Sequence, residues 1–183
     1  MNPLIRPATA SDAPALAAIY GHHVLHGAGT FEEHPPGAED MAGRVAAVQA
    51  RGLPYLVAEL EGHIAAFAYA GPFRLRSAYR YTVEDSVYVA PEHQGKGLGK
   101  LVLGRVIEAC EDLGLRQMLA VIGDSGNAGS IGVHRALGFA HSGVMQGVGF
   151  KAGRWLDVVI MQLALNSGAG RAPDAEGLDL TGG

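Results

Sequence analysis

Residues Thr82 to Lys100 hold the pattern that most narrows what this chain can fold into. Thr82-Val83-Glu84-Asp85-Ser86-Val87-Tyr88-Val89 reads as a strand, rich in β-branched and aromatic side chains. Ala90-Pro91-Glu92-His93 makes a short connection, and Gln94-Gly95-Lys96-Gly97-Leu98-Gly99-Lys100 opens a helix. That helix carries Leu98, Leu101, Val102, Val106, Ala109, Cys110 and Leu113 on one stripe, and Gly114 ends it. A helix N-terminus has unpaired N–H groups and a partial positive charge, so it attracts phosphate. Gly95, Gly97 and Gly99 let the backbone approach a ligand without interference from Cβ atoms. Lys96 and Lys100 add positive charge beside it. The pattern predicts a pyrophosphate cradle. The competing reading is a glycine-rich turn that only caps a helix.

The Gly-x-Gly-x-Gly spacing is neither the Gly-x-Gly-x-x-Gly of a dinucleotide fold nor the Gly-x-x-x-x-Gly-Lys-Ser/Thr of a nucleotide triphosphate loop. Gln94-x-x-Gly97-x-Gly99 instead resembles the Arg/Gln-x-x-Gly-x-Gly/Ala signature of the GCN5-related N-acetyltransferases. The resemblance implies that Gln94 to Lys100 bind the pyrophosphate of acetyl-CoA, a co-substrate, with no metal.

At 183 residues the chain suits one domain with a tail. A net charge of −4 gives no electrostatic case for nucleic acid. The single cysteine, Cys110, excludes an internal disulfide framework and fits a reducing compartment. The start, Met1-Asn2-Pro3-Leu4-Ile5-Arg6, has no signal-peptide core, and no apolar run reaches the ~18 residues of a membrane span. The expected location is the cytoplasm.

In chain order, Leu4–Arg6 reads as a first strand. Thr9 and Asp12 form a capping box before a helix carrying Leu16, Ile19, Tyr20, His23 and Val24. Gly27 to Pro36 is a loop; in it Phe31 either tucks into the core edge or lines a substrate pocket. A second helix spans Glu39 to Arg51. Tyr55–Leu60 and His63–Ala70 form a hairpin through Glu61-Gly62. Gly71 to Arg76 is a loop before the central strand. Gln117–Ile122 is a buried strand, Ala128–Leu137 a short helix, and Ala140–Val148 and Trp155–Leu165 are the last strands. The domain covers residues 1–165. Residues 166–183, rich in Gly, Ala and Asp, are expected to be a disordered tail.

This order matches the fold of the family: α/β (α+β), with a central mixed, mostly antiparallel twisted sheet of about seven strands flanked by about four helices. A second match is Asn127 followed by His134-Arg135-Ala136-Leu137-Gly138-Phe139, with His134 where many members have tyrosine. Tyr79 to Val89 and Gly149 to Val158 resemble the phosphinothricin and methionine sulfone or sulfoximine acetyltransferase branch. That resemblance implies a homodimer that N-acetylates a small amino acid or analogue.

Amide formation needs a neutral amine, and an α-amino group has a pKa of ~8. A nearby carboxylate can take its proton. Strand alternation puts Glu84, Ser86 and Tyr88 on one face and Val83, Asp85, Val87 and Val89 on the other. An acid on a buried central strand demands a reason; Glu84 is the candidate base, or else a structural hydrogen-bonding group. Family position implies His134 or a nearby hydroxyl as the acid for the leaving thiolate, Asn127 on the pantetheine arm and Ser130 among the cofactor contacts. A backbone N–H of Val87, Tyr88 or Val89 would stabilise the thioester oxygen if strand pairing is locally broken there. Arg74 or Arg76 would pair with a substrate carboxylate. Tyr81, Lys151, Trp155 and Phe31 would complete the substrate pocket. The rival activities are acetylation of a protein N-terminus or lysine in the same fold, and non-catalytic acyl-CoA sensing.

Overall fold

The computed structural model describes residues 3–180. Its strands are β1 (Leu4–Pro7), β2 (Tyr55–Leu60), β3 (His63–Pro72), β4 (Thr82–Val89), β5 (Gln117–Gly123), β6 (Ala140–Lys151) and β7 (Arg154–Ala164). The helices are α1 (Ala13–His26), α2 (Ala38–Ala50), α3 (Leu98–Asp112) and α4 (Ala128–Ala136). All seven strands share one sheet, ordered β1-β2-β3-β4-β5-β7-β6. The β4–β5 pair alone is parallel; its crossover is α3.

Helices cover both faces, so β3 is buried on both sides: Ala65, Ala66, Phe67 and Ala68 have no exposed surface. On one face the alanines of β2 and β3 leave room for the apolar stripe of α3, where Leu98, Val102, Leu103, Val106 and Cys110 are buried. On the other, Tyr55, Val57 and Phe67 pack with Leu16, Ile19 and Tyr20 of α1 and Met41 and Val45 of α2. The Glu61-Gly62 hairpin forms as expected, both residues at positive φ.

One feature of the sheet creates a site. The β4–β5 ladder runs from Thr82↔Gln117 to Asp85↔Ala120 and stops. Beyond it β4 stays paired with β3 as far as Val89↔Ala66, while β5 stays paired with β7 as far as Gly123↔Val158. The two central strands therefore part, and Ser86–Val89 lose their neighbour on that side.

Two segments differ from expectation. Strand β6 runs on to Lys151, carried past a bulge between Met145 and Gly149 that Gly147 makes at φ 58°. Residues 166–180, expected to be disordered, lie against the body. The buried Arg116 donates to the carbonyls of Asn166 and Ala172, the Tyr81 hydroxyl donates to Ala175 O at 2.8 Å, and Leu178 N donates to Arg80 O at 2.8 Å. A buried guanidinium needs acceptors, and the segment supplies them, which its composition does not reveal. Residues 181–183 of the expected tail lie outside the described residues.

Candidate active site

The parted strands open into a cleft of about 840 Å³, closed by α1, the loop after it, the start of α3 and the start of α4. Gly97 is the N-cap of α3, at φ 80°, and no side chain caps the helix. The first-turn N–H groups thus face the cleft unpaired, a positive helix end suited to an anion. A Cβ at Gly99 would lie 3.2 Å from the Val89 side chain, so the glycine lets α3 sit close on β4.

Of the cofactor residues expected from the sequence, Val87, Tyr88, Val89, Gln94, Gly95, Gly97, Leu98, Gly99, Lys100, Asn127 and Ser130 line this cleft; exposed Lys96 does not. Asn127 caps α4, its side chain accepting from Ser130 N at 3.2 Å.

Glu84 lies half-buried on the face of β4 turned to α1. No hydrogen bond or ion pair holds it among the described residues. Burial, then the neighbouring Asp85 charge, push its carboxyl up, against the pull of Arg74. An unpaired carboxylate with a raised pKa has the character of a general base.

His134 is buried on the other face. Its Nε2 lies 2.9 Å from Asp85 Oδ2 and its Nδ1 lies 2.7 Å from the Ser130 carbonyl. Both ring nitrogens are taken by the protein, which stands against the direct acid role expected for it. Asp85 drew no functional reading from the sequence, nor did His23, which donates from Nε2 to Val89 O at 2.9 Å and lines the cleft. Two adjacent acids on one strand were the available signal, since one of them must face each side.

The remaining expected substrate residues scatter. The exposed Arg74 lies over the Phe73 ring, 5.1 Å from its centre, with its charge felt at Glu84; exposed Arg76 has no such link. Tyr81 is turned to the C-terminal segment by its bond to Ala175. Lys151 is buried, its ammonium donating to Thr30 O at 2.7 Å and Gly27 O at 3.1 Å, so it fastens the loop that walls the cleft. The Phe31 ring packs against Gly149 and Gly123 and stays 37% exposed. Trp155 is exposed and meets Phe150 edge to face at 5.2 Å. Among the described residues, no cluster of three His, Cys, Asp or Glu side chains is placed to hold a metal ion.

Residues 22–139 match the model of the acetyltransferase (GNAT) family. The chain belongs to the GNAT acetyltransferases. Among the GNAT proteins it is 49% identical over 170 residues to a phosphinothricin N-acetyltransferase of Alcaligenes faecalis, covering 93% of this chain and 86% of that one. It is 43% identical over 171 residues to an L-methionine sulfoximine/L-methionine sulfone acetyltransferase of Salmonella typhimurium, covering 93% and 98%. The structure of a GNAT superfamily phosphinothricin acetyltransferase from Sinorhizobium meliloti, in complex with AcCoA, superposes with a TM-score of 0.91 at 46% identity, covering 94% of each chain.

Proposed function

We propose that this GNAT protein moves the acetyl group of acetyl-CoA directly to the amino group of a small amino acid or analogue of the phosphinothricin, methionine sulfoximine or methionine sulfone type. The observation that carries the reading is Glu84: a carboxylate without a hydrogen-bond or ion-pair partner among the described residues, half-buried on the strand that borders the cleft. Glu84 takes the proton of the substrate ammonium, directly or through a bridging water, and frees the amine to attack. The uncapped start of α3, with Gln94, Gly95, Gly97 and Gly99, would hold the pyrophosphate; Asn127 would bond the pantetheine arm. A backbone N–H between Val87 and Val89, without a β5 partner, would stabilise the thioester oxygen as charge develops on it. Arg74 is the preferred partner of the substrate carboxylate because its charge already reaches Glu84.

The chain also acts as a homodimer in this reading. Strand β6 is a sheet edge, and its hairpin with β7 exposes Val144, Met145, Val148, Phe150 and Trp155 together. No described helix is long and apolar enough to cross a membrane. A buried free cysteine and a need for acetyl-CoA fit the cytoplasm.

A thiol-release assay with acetyl-CoA and a panel of amines tests the activity. Methionine sulfoximine, methionine sulfone and phosphinothricin should be turned over in preference to peptides and polyamines. Preference for a peptide N-terminus or lysine would overturn the substrate assignment, and binding of acetyl-CoA without release of thiol to any amine would overturn the activity.

A further inference from the structure

We propose that Asp85, His134 and Ser130 form one proton relay, in which the Ser130 hydroxyl protonates the sulfur that leaves when the acetyl group is transferred. The inference rests on the acetyltransferase reading above and assigns the group that completes it.

The geometry is a chain from the core to the cleft. A carbonyl only accepts, so the 2.7 Å contact between His134 Nδ1 and Ser130 O puts a proton on Nδ1. The Ser130 hydroxyl lies 3.4 Å from the same Nδ1, so this N–H is shared between the carbonyl and the hydroxyl. On its other side the ring meets Asp85 Oδ2 at 2.9 Å, with side-chain exposures of 3% for His134 and 1% for Asp85. The imidazole therefore has no nitrogen left for a ligand. Ser130 is different: half-buried, in the first turn of α4, it lines the cleft beside Asn127.

Asp85 Oδ1 is buried with no hydrogen-bond partner among the described residues, and burial pushes the carboxyl up against the pull of His134. Asp85 is also the last β4 residue paired with β5, so it lies at the apex where the strands part.

The protons balance. Ser130 O–H gives its proton to the leaving thiolate, and Nδ1–H gives its proton to the serine oxygen. The proton held between His134 Nε2 and Asp85 ends on Nε2, leaving a neutral imidazole bonded to a carboxylate, with Nδ1 bare against the Ser130 carbonyl, an unfavourable contact that drives its reprotonation. Solvent restores the missing proton before the next turnover. Ser130 is the donor, and His134 and Asp85 are positioning residues that act through it.

The titratable neighbours are few. Cys110 comes from α3, its thiol pushed by burial up to about 12, and Glu84 adjoins Asp85 on β4; the Phe139 ring covers the imidazole edge to face at 5.0 Å. Burial alone would lower the pKa of His134, but the bond to Asp85 and the Asp85 charge outweigh it and keep the proton above the ordinary histidine range. The relay is loaded below that raised pKa and unloaded above it.

Two measurements test this. The first needs no turnover: the ¹⁵N chemical shift of His134 Nδ1 followed against pH. It should show a protonated Nδ1 at pH 7 with a midpoint above that of an ordinary histidine, moved to lower pH in Asp85→Asn. A bare Nδ1 at pH 7, or a midpoint that Asp85→Asn leaves in place, would overturn the relay even if the amine panel had also failed. The second is steady-state kinetics with acetyl-CoA and an amine that the wild type accepts. Ser130→Ala should lower kcat by roughly 10²-fold, the lower range for general acid catalysis, with the KM for the amine little changed. It should also lose the alkaline fall in kcat expected of the wild type at the His134 midpoint. Retention of kcat within about twofold by Ser130→Ala would refute the donor role, whereas an inactive wild type would refute the acetyltransferase reading instead.

Discussion

Single residues carry two decisions that their chemical type alone left open. Lys151 read as a pocket cation, yet its ammonium is spent on the carbonyls of Gly27 and Thr30. Lys151→Met keeps the length and removes the donors, leaving those carbonyls unmet. We expect a loss of ~1–3 kcal/mol, the range for an unsatisfied buried group, seen as a lower Tm. An unchanged Tm with a raised KM for the amino acid would show instead that the ammonium serves the substrate. The second is Asp12, which accepts two 2.8 Å bonds from Arg6 and one from Thr9 N. The Arg6 bonds lower its carboxyl to about 2, below its unfolded value. A depressed carboxyl stabilises the fold above the unfolded pKa of ~4. That support is lost as pH falls from there through about 2. Asp12→Asn should lower Tm at pH 7 and lose less than the wild type between pH 4 and 2. A difference in Tm that does not change over this interval would contradict the assignment. Asp12 was legible as half of a capping box; its larger partner, Arg6, was not, because a contact between strand and turn leaves no periodic trace.

Elements were the most legible scale, for a physical reason. The β-branched run at Thr82–Val89 and the glycines ahead of an apolar stripe each report a local conformation, and β4 and α3 formed where those patterns lie. The parting of β4 from β5 left no such mark. It depends on which neighbour each strand keeps, and pairing across the sheet is not periodic in the chain. Hence the cleft residues on β4 and α3 were legible, whereas His23, the Gly27–Gly29 wall and the Asp85–His134 pair were not. Gly99→Val tests how closely α3 sits on β4. The added Cβ meets Val89 at 3.2 Å, so the helix end should move and the KM for acetyl-CoA should rise by at least tenfold. Calorimetry giving wild-type affinity would contradict this role. The β6–β7 turn offers a gain instead. Ala152 is at φ 50° and Gly153 at φ 76°, the left-handed pair of a tight hairpin in which alanine is strained. Ala152→Asn should raise stability by up to ~1 kcal/mol, a part of the left-handed cost that asparagine eases, measured as a higher denaturation midpoint in urea; a lower midpoint would contradict the turn assignment.

At the scale of the whole molecule, two helical layers enclose a sheet, and the cleft proposed as the active site opens where β4 and β5 part. The C-terminal segment braces Arg80 and Tyr81 just before β4 and Arg116 just before β5, at the opposite end of β4 from the cleft end at Val89. The hairpin at the β6 edge leaves Trp155 and Phe150 at 68% and 59% exposure, and the proposed dimer would form there. Trp155→Glu should convert the dimer into a monomer by light scattering at micromolar concentration, and a wild-type monomer there would refute the assembly. Glu84 is the proposed base that makes a small amino acid reactive, and turnover of methionine sulfoximine by the wild type and by Glu84→Gln from pH 6 to 9 tests it directly. The substitution keeps shape and removes the proton acceptor. We predict a loss of roughly 10²–10⁴ at pH 7, with acetyl-CoA affinity little changed and the ratio narrowing as rising pH supplies free amine. Near-full activity of Glu84→Gln at pH 7 would contradict the claim.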